Sequence, residues 1–212
     1  MTALLAGATG LVGREIAREW TGPGPLHLLV RRTQPAAHPL HRVHVVDYGA
    51  LPPLPNAELA FCCLGTTIKV AGSQDGFRAV DHTAVLAFAR AAQRAGVKRF
   101  AVVSTLGASP KSSSFYSRVK GDMEAELATL GFTSLVIARP SLLAGDRASL
   151  GQAIRPGERL MVALTAPLKS LIPRAWRPIE ASTVARAMLR ALSQPAAGVQ
   201  VLESAALQDL GA

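Results

Sequence analysis

The stretch Ala3-Leu4-Leu5-Ala6-Gly7-Ala8-Thr9-Gly10-Leu11-Val12-Gly13-Arg14 decides how the chain is read. Four apolar residues run into three glycines spaced three apart, and an apolar helical pattern follows over 11–20. Thr21-Gly22-Pro23-Gly24-Pro25 then stops it. Glycines placed between a strand and a helix let the chain turn tightly and bring backbone N–H groups close to an anion. The helix start adds the positive end of its dipole. Gly7, Thr9, Gly10, Leu11, Val12 and Gly13 are therefore candidates for cradling the pyrophosphate of a dinucleotide. Such a motif is weak by itself; the strand before it and the helix after it supply the context it needs.

Outward from this turn, short apolar runs alternate with helical stretches. Runs at 3–6, 26–30, 42–46, 58–63, 100–103, 133–138 and 198–202 read as strands. They are continuously apolar, as strands buried on both sheet faces must be. Helical periodicity covers 11–20, 74–95, 113–130 and 181–192; Phe77, Val80, Val85, Leu86 and Ala89 share one broad face. Gly96 and Gly131 supply stop signals, and Glu180 or Ser182 caps the last helix. This alternation predicts an α/β fold with a doubly wound parallel sheet. The 212 residues suit one domain, 1–212. Residues 141–180, broken by Pro156, Pro167, Pro173 and Pro178, read as a small substrate-side excursion.

The second strand selects the cofactor. An NAD site usually has an acidic residue about twenty positions past the glycines, for the ribose 2′-hydroxyl. Here the strand ends Leu29-Val30-Arg31-Arg32. Two guanidiniums suit a 2′-phosphate, which they clamp through charge-assisted hydrogen bonds, and Arg14 is placed to assist. NADP(H) is thus preferred, with NAD(H) as the alternative. Asp47 is read either as an adenine contact or as a turn-forming residue. Leu64, Gly65 and Thr66 follow the fourth strand, where Gly65 lets the backbone pass close to a ribose.

Tyr116 and Lys120 stand four residues apart on a predicted helix and so share a face. Ser104 and Thr105 end the fifth strand, on the sheet edge where open parallel sheets bind ligands. A phenol titrates near pH 10 when unperturbed, too high for a base at neutral pH. A neighbouring ammonium favours the phenolate. A hydroxyl from Ser104 or Thr105 would hold a substrate oxygen beside Tyr116 while hydride moves to or from the nicotinamide.

These parts together resemble the short-chain dehydrogenase/reductase superfamily: Gly7 to Gly13, Ser104/Thr105, Tyr116 to Lys120, and Arg139-Pro140 after the sixth strand. More narrowly, the chain is similar to the atypical branch typified by the HIV Tat-interacting, oxidoreductase-like protein. That likeness rests on Phe61-Cys62-Cys63-Leu64-Gly65-Thr66-Thr67, Gly76-Phe77-Arg78-Ala79-Val80-Asp81, Lys111-Ser112-Ser113-Ser114, the run Tyr116 to Gly121, and the tail from Leu202-Glu203 to Asp209-Leu210-Gly211. The resemblance implies a Rossmann fold, NADP(H), and a Ser/Thr–Tyr–Lys site. Tyr116 would be the acid/base, and Lys120 would bind the nicotinamide ribose and tune Tyr116. Pro140 would lie under the nicotinamide, with Arg139 beside it. Two features depart from the pattern: Asp81 stands where extended relatives often carry Asn, and the substrate lobe is short. Both favour the alternative of a non-catalytic NADPH-binding regulatory, sensing or assembly protein.

Composition narrows the partners. Hydrophobic residues make up 49% and charged residues 17%, which excludes a disordered chain or a coiled coil. The formal charge of +9 points to anionic partners. With aromatics at 5% and no recognisable motif, nucleic acid is not expected. Residues 146–180 hold six basic and three acidic side chains, and the apolar stretch 160–172 is a candidate for peripheral membrane contact. Cys62 and Cys63 are adjacent and poorly placed to bridge each other, which fits a reducing compartment. The chain reads as cytoplasmic, without a signal peptide or spanning helix. His38, His41 and His44 invite a metal, but no carboxylate or cysteine lies near them in sequence. They are read as solvated or phosphate-facing, with no metal. One of the helices 74–95 and 113–130 is a candidate for pairing in a homodimer.

Overall fold

The computed structural model describes residues 1–144, 173–194 and 196–212. Its main sheet has seven strands: β1 (Ala3–Ala6), β2 (Leu26–Val30), β3 (His41–Val45), β4 (Leu59–Cys62), β5 (Arg99–Val103), β6 (Ser134–Arg139) and β9 (Gly198–Glu203). Their order is β3-β2-β1-β4-β5-β6-β9, and every pairing is parallel. From β1 the chain builds outward to β2 and β3, then returns to place β4 on the other side. The crossovers on the two sides leave from opposite faces, which opens a crevice at the carboxyl ends of β1 and β4.

The continuous apolar strands feed two cores. Ala3 and Leu5 face one side, packing with Val12 and Ile16 of α1 (Leu11–Glu19) and with Val184 and Met188 of α6 (Ala181–Ser193). Leu4 and Ala6 face the other, with Val85 and Phe88 of α4 (Val85–Arg94) and Met123 and Leu127 of α5 (Phe115–Ala128). Cys62 and Cys63 are split between these faces, and both are free thiols.

The stretch expected as one helix over 74–95 is helical but not uniform. It starts as α3 (Gln74–Arg78), passes through a π-helical segment, Ala79–Ala84, and continues as α4. Ser73 caps α3 by accepting the Gly76 N–H. Glu180 is the N-cap residue of α6, but its side chain makes no capping bond. Elements outside the sequence reading include α2 (Ile68–Ala71), the parallel pair β7 (Leu143–Ala144) with β8 (Ile179–Glu180), and the tail helix α7 (Ser204–Leu210). Arg186 Nε donates to the Gly211 carbonyl at 2.6 Å, locking the tail against α6.

Most of the 141–180 excursion, including the proposed membrane stretch 160–172, lies outside the described residues. No helix among the described residues is long and apolar enough to cross a membrane. Among the described residues no group of three His, Cys, Asp or Glu side chains is arranged for a metal. The solvated reading fails for His41, while His44 is half-buried. His41 is 5% exposed and its Nε2 meets the Ala17 carbonyl at 3.1 Å. His44 Nε2 lies 2.8 Å from His27 Nδ1, because the parallel register of β2 and β3 sets the two rings diagonally across the strands.

Candidate active site

The glycine turn is shaped by contact with β4. Gly7 has φ +81°, and a Cβ there would lie 2.4 Å from the Cys63 carbonyl oxygen. Gly13 presses against the Gly7 carbonyl, so α1 starts close to the turn. Gly10 differs: a Cβ there would meet no protein atom nearer than 3.4 Å. Gly10 is also the N-cap residue of α1, where no side chain caps the helix and no acid sits in the first turn. The uncapped helix start therefore lies beside open space, as a pyrophosphate requires.

That space is a cavity of 420 Å³ at the carboxyl ends of β1, β2 and β4. Gly7, Thr9 and Gly10 line it on one side, Arg31 and Asp47 on another, and Leu64 and Gly65 on a third. Arg32 is exposed next to Arg31. Leu11, Val12 and Gly13 belong to the first turn of α1, with Val12 and Gly13 buried. Asp47 fits both of its readings: it lines the cavity, and its Oδ1 accepts the Gly49 N–H at 2.8 Å. Tyr48, missed by the sequence reading, also lines the cavity and donates to the Leu29 carbonyl at 2.9 Å. Burial drives its phenol well above the ordinary tyrosine range. Tyr48 is thus a locked donor. A larger cavity of 760 Å³, lined by Arg14, His38 and Ser182, lies across α1 and does not include the glycines.

The second half of the site is built where α5 packs on the loop after β5. Tyr116 is half-buried, and its ring lies 5.2 Å from that of Phe77. Lys120 follows one turn later, and Gly121 brings the helix onto the backbone of Ser109 and Pro110. Ser109 N–H donates to the Ser117 carbonyl at 3.1 Å, and Leu106 N–H to the Pro140 carbonyl at 2.9 Å. These bonds hold Ser104, Thr105 and Pro140 at one sheet edge with α5. Ser104 is 5% exposed, and its Oγ has no partner among the described residues. Thr105 is half-buried.

Lys120 is paired inside the protein. Its Nζ lies 2.8 Å from Asp81 Oδ1 and 3.4 Å from the Val103 carbonyl. Asp81 Oδ2 accepts the Thr66 N–H at 2.8 Å. Burial works against the ammonium, yet Asp81 and Tyr116 beside it hold Lys120 above the ordinary lysine range. Burial also pushes the Cys62 thiol up to about 12 and raises Cys63, so neither is a ready nucleophile at neutral pH.

Arg139 is engaged elsewhere. Its Nε donates to Glu124 Oε1 at 3.0 Å and its Nη1 to Glu203 Oε1 at 2.9 Å. The guanidinium ties α5 to β6 and β9, and Arg139 does not line the cavity. Tyr116, Lys120, Ser104, Thr105 and Pro140 likewise stand outside the lining of that cavity.

Comparisons with known proteins bear on the family and the fold. A family model described as NAD(P)H-binding matches residues 7–195. The rat protein HTATIP2 is 35% identical, with the alignment covering 99% of this chain and 89% of that protein. The mitochondrial protein fmp52 of Aspergillus clavatus is 32% identical, covering 88% of this chain and 85% of that one. Among solved structures, MoeE5 in complex with UDP-glucose and NAD superposes with a TM-score of 0.71 at 20% identity, covering 95% of this chain and 75% of that one. The UDP-N-acetylglucosamine 4-epimerase of Methanobrevibacter ruminantium M1 gives a TM-score of 0.71 at 14% identity, covering 95% and 76%. At such identities these two structures share the fold.

Proposed function

We propose, since the chain belongs to the NAD(P)H-binding family, that it is an NADP(H)-dependent oxidoreductase of the short-chain type acting on a carbonyl, alcohol or sugar-like group. One observation supports this reading: Lys120, one turn after Tyr116 on α5, lies 3.4 Å from the Val103 carbonyl just before Ser104 and Thr105, and Asp81 links it to the Thr66 N–H of the loop that walls the cavity. When bound, the nicotinamide would supply or accept the hydride. Gly10 and the first turn of α1 would hold the pyrophosphate, and Leu64, Gly65 and Thr66 would flank the ribose. The unpartnered hydroxyl of Ser104, or that of Thr105, would orient the substrate oxygen. Tyr116 would pass a proton to that oxygen or take one from it, with the Lys120 ammonium as its cationic neighbour.

Arg31 on the cavity wall and exposed Arg32 beside it support NADP(H) over NAD(H). A reducing compartment goes with this reading; the cytoplasm is the sequence-based expectation, while fungal relatives carry mitochondrial names. The position of Tyr116 and Lys120 outside the lining of the cavity favours a second reading, a protein that binds NADPH and senses or assembles without turnover. A hydride-transfer screen of wild type against Tyr116→Phe separates the two. Turnover that depends on Tyr116 supports the enzyme; NADPH binding without such turnover supports the sensor.

A further inference from the structure

The polar groups of the site converge on Asp81. It sits in the π-helical segment Ala79–Ala84, where the wider turn changes which side chains face inward. Val80, Thr83 and Ala84 line the cofactor cavity, while Asp81 turns to α5. Asp81 is 1% exposed and Lys120 3%. Among the described residues, Asp81 is the only carboxylate within ion-pair distance of Lys120. The other titratable groups acting on this ammonium are Tyr116 on its own helix, Cys62 from β4 and Cys63 just past it. Cys62 is a neutral thiol at physiological pH, so it offers no charge in return.

We propose that Asp81 is a positioning residue, one carboxylate that holds the Lys120 ammonium in place and ionised and ties it through the Thr66 N–H to the loop walling the cofactor cavity. One oxygen serves the lysine and the other serves the loop. A buried ammonium without its counter-ion is unfavourable, and such a lysine sheds its proton instead. A neutral Lys120 offers Tyr116 no cation. Asp81 thereby sets whether the tyrosine has an electrostatic partner, and the cofactor loop shares the same anchor. The consequence for catalysis rests on the oxidoreductase reading; the pairing itself does not.

Asp81→Asn separates the two tasks, because an amide oxygen still accepts the Thr66 N–H but carries no charge. The test follows the Lys120 side-chain nitrogen by NMR through a pH titration of the full chain, without cofactor or substrate. Lys120 is one of five lysines, and its resonance is assigned by its loss in Lys120→Met. In Asp81→Asn its titration midpoint falls by about 2 pH units or more relative to wild type, as for buried lysines without a partner. The Thr66 amide resonance stays close to its wild-type position. An unchanged Lys120 midpoint overturns the proposal. If Asp81→Asn does not fold, Asp81→Asn/Lys120→Met decides: recovered folding supports the pairing, and a double variant that stays unfolded overturns it. A shifted Lys120 in a protein that shows no Tyr116-dependent turnover would leave the pairing standing and remove the oxidoreductase reading.

Discussion

An alanine at position 121 would set two physical effects against each other. Its Cβ would lie 2.2 Å from the Ser109 carbonyl carbon, 2.4 Å from Pro110 N and 2.5 Å from Ser109 Cα. Carbon atoms in contact prefer about 3.5–4.0 Å, so helix and loop must part by more than about 1 Å. The Ser109–Ser117 bond at 3.1 Å and the Arg118 Nη1 bond to the Ser112 carbonyl at 2.8 Å resist that movement. Overpacking costs about 1–3 kcal/mol, and a clash with backbone lies at the upper end because no side chain can swing aside. In the other direction, replacing a helix-interior glycine by alanine stabilises by about 1 kcal/mol. The net is a loss of about 2 kcal/mol, or about 4–8 °C in Tm for a chain of this size. Equilibrium urea unfolding followed by circular dichroism measures it. The sign decides: helix propensity alone predicts a more stable protein. Gly121→Ala as stable as wild type, or more so, refutes the claim that backbone contact positions α5.

Replacing both Arg31 and Arg32 by Ala weakens NADPH binding by at least about tenfold in calorimetry and leaves NADH affinity unchanged, since a charge-assisted bond contributes about 1.5–3 kcal/mol. Burial, then His44 and Arg42, hold His27 below the ordinary imidazole range. The folded state therefore takes up its proton less readily than the unfolded chain does. His27 stabilises fully above about pH 6.5, and that stability drains away as pH falls toward its folded value. Urea midpoints fall between pH 7 and pH 5 in wild type, and fall less in His27→Gln. Arg139→Met strands the buried Glu124 and costs about 3 kcal/mol of stability. It leaves NADPH affinity unchanged in the same calorimetric assay, because the guanidinium is taken up by Glu124 and Glu203.

How far the sequence could be read depended on where each partner lay. β1 and β2 were placed residue for residue, because glycines and prolines punctuate apolar runs whose burial on both faces leaves little choice. The glycine turn was legible because its strand, turn and helix are contiguous. The π-helical segment was not, since an apolar face survives one widened turn and periodicity cannot register it. Asp81 stood out only as a departure from a family pattern; its pairing depends on α5 arriving across the fold. The ion pairs of Arg139 were illegible for the same reason. Its partners are Glu124, one turn past Lys120 on α5, and Glu203, the residue facing it in the register of β6 and β9. An arginine ending one strand and a glutamate ending the next was the available signal, and it needed the strand pairing to become visible. His27 and His44 likewise meet only through the parallel register.

Transfer of deuterium from NADPH labelled on its nicotinamide ring tests the central claim most directly. A panel of aldehydes and ketones would be incubated with wild type and with Tyr116→Phe, and the products analysed by mass spectrometry. The geometry of α5 and the Ser104–Thr105 edge predicts label on the carbinol carbon of at least one product. It also predicts a rate at least about 100-fold lower in Tyr116→Phe at unchanged NADPH affinity. NADPH that binds with no label reaching any product, or label transfer that Tyr116→Phe leaves untouched, would contradict it.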